Sequence, residues 1–130
     1  MSRIVSALLL IAAVIHLLPV SGVLGAERIA MLYGISLGDP NLQILMRHRA
    51  VLFGLLGLFL VAAAFRPAVQ AIATITGLVS AVSFLFLAWS AGEYNAALQR
   101  VVIADVVATV ALVIAGALLF VSRHRRPPTE

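Results

Sequence analysis

The chain contains no cysteine and no lysine. Without thiols there is no disulfide framework, no thiolate metal site, no cysteine nucleophile and no iron–sulfur cluster. Charge is scarce. Only 11% of the 130 residues are Asp, Glu, Lys or Arg, against about 25% in an ordinary soluble domain. Apolar residues make up 63%, where about 45–50% is usual. A globule of this length leaves much of its surface in water and cannot hide so much apolar area. A soluble enzyme is therefore excluded, and so is a disordered chain. Also missing are a Gly-rich phosphate loop between strand and helix, a Ser–His–Asp set and a His-x-x-x-His metal pair.

What charge there is carries one sign. Nine Arg against five acids leave a net charge of +4. In a soluble protein that balance would point to nucleic acid. Here the arginines fall at chain ends, in one loop and at helix ends rather than on one face, so no nucleic-acid partner is expected. The bias instead orients a membrane protein.

Four apolar segments are present, at about residues 4–24, 40–65, 68–92 and 97–121. A helix needs about 20 residues to cross a hydrocarbon core of roughly 30 Å. The second segment has an uninterrupted apolar run only over 50–65. It reaches spanning length if its helix begins at Pro40, with Asp39 as N-cap and Pro at the first helical position. Arg47, His48 and Arg49 then lie at or inside the hydrocarbon boundary. The fold expected is an all-α, four-helix membrane bundle in one domain, 1–122, followed by a short basic tail, 123–130. Arg3, Arg66, Arg123, Arg125 and Arg126 fall on one side, which the positive-inside rule makes cytoplasmic. Both termini are then inside, and the loop 25–39 and the Glu93-Tyr94-Asn95 turn are outside. The expected location is a bacterial cytoplasmic (inner) membrane. Arg3, the apolar run to Ile15 and the small residues near Ala26 also fit a secretory signal. We read that segment as a retained span, because its removal would leave three helices and reverse the charge logic of the tail.

Polar residues gather in the outer half. His16 and His48 both lie roughly 12 Å below the outer boundary at 1.5 Å per residue. Asp105 enters the fourth span from the same side, and Glu93 and Arg100 bracket the outer turn. In the second span Arg47, Ala50, Gly54, Gly57, Val61 and Ala64 form a small-residue stripe of the kind that packs membrane helices closely. In the fourth, Asp105, Ala108, Leu112, Ala115 and Leu119 share a face. Arg47 and Asp105 are therefore expected to pair inside the bundle, with Arg49 on the opposite side, snorkelling to headgroups or pairing with Glu27 or Asp39. The candidate ligand-binding residues are Arg47, His48, His16, Asp105, Glu93 and Arg100. Each has a structural role open to it as well. The Arg47–Asp105 pair can be a staple, His16 can bond a carbonyl freed by Pro19, His48 can anchor at the interface, and Glu93 can be a solvated turn residue. Trp89, Tyr94 and Tyr33 read as interfacial belt residues, and Phe59, Phe84 and Phe86 as core or lipid-facing bulk.

The stretch LYGISLGDPNLQILMRHRAVLFGLLG, 32–57, together with AWSAGEYNAALQRVVIAD, 88–105, resembles a family of small uncharacterised bacterial four-span membrane proteins, distantly DoxX-like. The resemblance covers most of the chain. It implies four helices, a polar outer loop and interior charges, and brings no site residues with assigned chemistry. An activity often ascribed to such relatives is phosphopantetheine adenylyltransferase. That soluble enzyme needs a His-x-Gly-His motif, and none of His16, His48 or His124 is followed by Gly-His.

Three functions stay open. The first is binding of an amphipathic ligand (lipid, fatty acid or quinone), or of a partner's membrane segment, with the polar head on the outer cluster and the tail between helices. The second is a small proton-coupled transporter relying on Asp105. The third is a membrane haem protein or acid/base enzyme using His16 and His48, the one case in which a metal would be ligated. The cofactor is undetermined and so is an enzymatic role, though the first class is favoured. The partners expected are the bilayer, an amphipathic small molecule, and a second copy or a larger membrane complex.

Overall fold

The structure, a computed structural model, describes residues 2–124. Arg125 and Arg126 of the basic tail thus lie outside the described residues. The architecture is all-α, with no strand among the described residues. Four helical stretches, Arg3–Leu24, Pro40–Ala64, Pro67–Ala91 and Ala96–His124, have the length and hydropathy of membrane spans. The chain is built as a multi-pass membrane protein.

Helix α1, Ser2–Leu17, is free of Gly and Pro and stops just before the Leu18-Pro19 pair. The proline ring displaces the residues before it from α geometry, and the span finishes as a 3-10 helix, Leu18–Leu24. Gly25, at φ 153°, then breaks the helix in a region that side chains disfavour. The segment 25–39, expected to be an outer loop, is in part a helix. Helix α2, Ala26–Tyr33, is a short amphipathic element closed by Gly34 in the left-handed conformation (φ 64°). Its Ile29 and Tyr33, with Leu37 beyond, pack against Leu98 and Val101. Helix α2 therefore roofs that end of the bundle.

Helix α3, Pro40–Ala64, starts as its sequence demands. The Asp39 carboxylate accepts the Asn41 backbone N–H at 2.9 Å, and Pro40 opens the helix. It ends before Arg66-Pro67, and after a 3-10 turn helix α4 runs Gln70–Ala91. Helix α5 runs Ala96–His124. Asn95 is its N-cap, accepting the Leu98 N–H at 2.8 Å through its side-chain oxygen. The Asn95 amide group also donates to the Tyr33 and Gly34 carbonyls, at 2.9 and 3.2 Å. One side chain thus starts α5 and clamps the end of α2.

Helix α1 packs against α3 and α5, and α4 closes the ring between them, so α3 and α5 stand diagonally. The core is made of small residues, among them Ala12, Ala13, Ala63, Ala73, Ala108 and Ala115, with Leu9, Leu60 and Leu112 between them. Large apolar side chains point outward, including Leu55, Leu58, Ile75, Val79 and Phe86. Small residues inside and bulky ones outside suit hydrocarbon, where helix contact comes from close packing rather than exclusion of water. The stripe in α3 is buried at Ala50, Gly54, Gly57 and Ala64, and that in α5 at Asp105, Ala108, Leu112 and Ala115.

Candidate functional site

A cavity of about 250 Å³ opens under α2, between α1, α3 and α5. Ile15, Leu18 and Pro19 form its α1 wall, and Met31, Leu32 and Tyr33 its roof. Phe53 rises from α3, and Ala97, Val101 and Ala104 complete the α5 side. Three charged residues reach this apolar space: Arg49, Arg100 and Asp105.

Arg49 is half-buried and sits among aromatic rings from three helices. Its guanidinium carbon lies 5.1 Å from the Tyr33 centroid, 4.8 Å from Phe53 and 5.5 Å from Phe84. Each such contact is worth roughly 0.5–1 kcal/mol when exposed and about 2 when desolvated. Asp105 is 4% exposed. Its backbone carbonyl accepts from Thr109 Oγ1 at 2.7 Å, while its carboxylate takes no hydrogen bond from the described residues. Among those residues no ion pair closes within 4.0 Å.

The expected Arg47–Asp105 pair does not form. Arg47 is exposed, and its Nε donates to the Val23 carbonyl at 3.1 Å. The cause lies two to three turns down the same stripe. A Cβ on Gly54 would lie 3.1 Å from Val20, and one on Gly57 only 2.7 Å from Leu17 Cγ. That stripe packs on α1 and its 3-10 extension, so its top residue meets the end of that extension. Asp105 belongs to the diagonal helix. Arg49, two residues on and about 200° around the helix, takes the interior position instead of snorkelling outward.

His16 is 1% exposed. Its Nδ1–H donates to the Ala12 carbonyl at 2.8 Å. Because a carbonyl only accepts, Nδ1 carries the proton and Nε2 keeps a lone pair. Nε2 is buried and has no hydrogen-bond partner. The acceptor is Ala12, one turn before His16, and not Ile15, whose usual helical partner Pro19 lacks. The His16 ring stacks on Phe53, with centroids 5.6 Å apart and planes 24° apart. Phe53 therefore carries His16 on one contact and Arg49 on another.

Of the residues picked from sequence, Asp105 and Arg100 meet at the cavity, and His16 touches its wall through Phe53. Arg47, His48 and Glu93 are exposed and do not line it. His16 is buried against Phe53 while His48 is exposed more than a turn away along α3, so they do not form a facing pair. Among the described residues no three His, Asp or Glu side chains cluster as metal ligands. The residues missed were Arg49, Phe53, Phe84 and Tyr33. Arg49 and Phe53, four apart, share a helix face, which was a legible signal. Tyr33 is 6% exposed rather than interfacial, and Phe84 holds a charge rather than filling bulk. Trp89, at 77% exposure, stands on the surface as a belt residue would.

Comparison with family models, with curated proteins and with solved structures finds no match to this chain.

Proposed function

We propose that this protein binds an amphipathic ligand in the outer cavity, head group on Arg49, Arg100 and Asp105, apolar tail along Ile15, Leu18 and Val101. The observation that carries the reading is the convergence of three charges on one apolar-walled cavity. Isolated charges at membrane depth are costly, and a structural staple would bring Arg49 and Asp105 into direct contact. The volume, about 250 Å³, is just under the range of roughly 300–1,000 Å³ usual for small-molecule sites. It suits a head group and the start of a chain. The other end of the chain can extend into the bilayer past the α1 wall.

The orientation we propose puts both termini and Arg66 in the cytoplasm of a bacterial cell and the cavity near the outer face of its inner membrane. The lack of cysteine makes this testable by introduced thiols. A single Cys at Ser36 should react with a membrane-impermeant maleimide in whole cells, and one at Ala68 should not. Mass spectrometry of gently purified protein tests the binding itself. A stoichiometric amphiphile lost in Arg49→Gln, with helicity intact, is the expected result. A ligand-free protein, or an amphiphile retained by Arg49→Gln, counts against it.

A further inference from the structure

We propose that the head group taken by this cavity is zwitterionic, a phosphate and a primary ammonium together, as in a phosphoethanolamine lipid. This rests on the ligand-binding reading above and goes further, to the chemistry of the head.

The charges at the cavity are mixed. Arg49 and Arg100 line it together with Asp105, two cations against one anion. None of the three closes an ion pair within 4.0 Å among the described residues, and none of their charged groups donates to or accepts from another described side chain. Neither guanidinium donates a hydrogen bond to a described residue, which leaves donors on both for a ligand. Two guanidiniums match the several oxygens of a phosphate, which guanidinium geometry recognises in bidentate fashion. A lone carboxylate or phosphate head would bring a second anion up to Asp105. A lone ammonium would bring a third cation up to Arg49 and Arg100. A head that carries both charges satisfies all three residues at once, the phosphate toward the arginines and the ammonium toward Asp105.

The two arginines are held differently, which orders the head. Arg49 is fixed by Tyr33, Phe53 and Phe84, so its position is set before any ligand arrives. Arg100 is exposed, one turn and a little more above Asp105 on the same helix. The ammonium thus goes to the deeper, buried carboxylate, and the phosphate lies between the fixed and the exposed guanidinium.

The test is competition binding by native mass spectrometry on the full chain in mild detergent. Three probes share the same chain length: lauroyl lysophosphatidylethanolamine, lauroyl lysophosphatidylglycerol and dodecylamine. The ethanolamine lipid should bind about tenfold or more tighter than either competitor, the size of one charge-assisted hydrogen bond. Asp105→Asn should bring the two phospholipids to within about twofold of each other by removing that bond. Arg49→Gln should weaken both phospholipids by about tenfold or more. Circular dichroism checks that each variant remains helical, and if Asp105→Asn fails to fold the wild-type ranking decides alone. Equal or tighter binding of the glycerol lipid or of dodecylamine overturns the zwitterion while leaving a ligand site. So does a preference for ethanolamine that survives Asp105→Asn. Absence of binding by all three probes removes the ligand-binding reading with it.

Discussion

Gly57 offers the sharpest test of how the bundle is held. A Cβ built there lies 2.7 Å from Leu17 Cγ, 2.8 Å from Leu17 Cδ2 and 3.3 Å from the Ala13 carbonyl oxygen. Carbon atoms in good contact sit about 3.5–4.0 Å apart, so Gly57→Ala needs about 1 Å of new space. Leu17 cannot supply it by turning its tip, because its Cγ is already too close and Ala13 behind it is backbone. Overpacking of this kind costs about 1–3 kcal/mol. The intrinsic helical gain of Ala over Gly, about 1 kcal/mol, offsets part of that. Gly116 is the internal control. Its Cβ would meet only Thr74 Cγ2, at 3.6 Å, so Gly116→Ala keeps the helical gain without the clash. We expect Gly57→Ala to lower stability by up to about 2 kcal/mol and Gly116→Ala to raise it by about 0.5–1. Reversible unfolding in mixed micelles, followed by circular dichroism, measures both. Equal shifts of the same sign in the two variants would refute the reasoning, since α1 and α3 would then not be in closest approach at Gly57.

Other expectations follow from single side chains. Asn95→Ala removes the α5 cap and the clamp on α2, and should cost about 1–2 kcal/mol. Asn95→Asp keeps the cap acceptor but loses the amide donors, so hydrogen exchange should quicken over 26–34 in both variants and in the first turn of α5 only in the alanine. Arg47→Ala removes one exposed bond to Val23 and should change stability by under about 1 kcal/mol. Arg49→Ala, which empties the aromatic cage, should cost about 2 kcal/mol or more. The reverse order in unfolding experiments would show that Arg47 is the interior arginine after all. His16→Phe keeps the stack on Phe53 and deletes the unpartnered Nε2, so stability should hold or rise by about 1 kcal/mol. A loss above about 2 kcal/mol in the same assay would mean that Nε2 has a partner in the working protein.

The spans were legible because they depend on length and hydropathy alone. The α3 start was legible because Asp39-Pro40 is local chemistry, which needs no partner. Helix α2 was also readable, with Gly25 and Gly34 flanking eight residues that favour helix and with Ile29 and Tyr33 on one side. Its eight residues are too few to cross a membrane, so the segment reads as part of the connection between spans. The candidate site was read with the wrong arginine. Periodicity correctly put the Ala50, Gly54 and Gly57 stripe inside. It could not say which neighbour that stripe meets, and the neighbour is α1 rather than α5.

The sequence by itself determined the medium, the number of spans and the small-residue faces that bring them together. These follow from the cost of apolar surface in water and from the close approach that Gly and Ala permit. It also put Asp105 inside, since its face is otherwise Ala and Leu. Only the tertiary structure decided what surrounds that carboxylate. Arg49 is interior because Arg47, about 200° away around the same helix, is turned toward the end of the 3-10 extension of α1. It is held there by Tyr33, Phe53 and Phe84, three rings far apart in sequence. Their meeting depends on α2 folding back over the bundle and on Asn95 clamping its end, a long-range closure that no local pattern encodes.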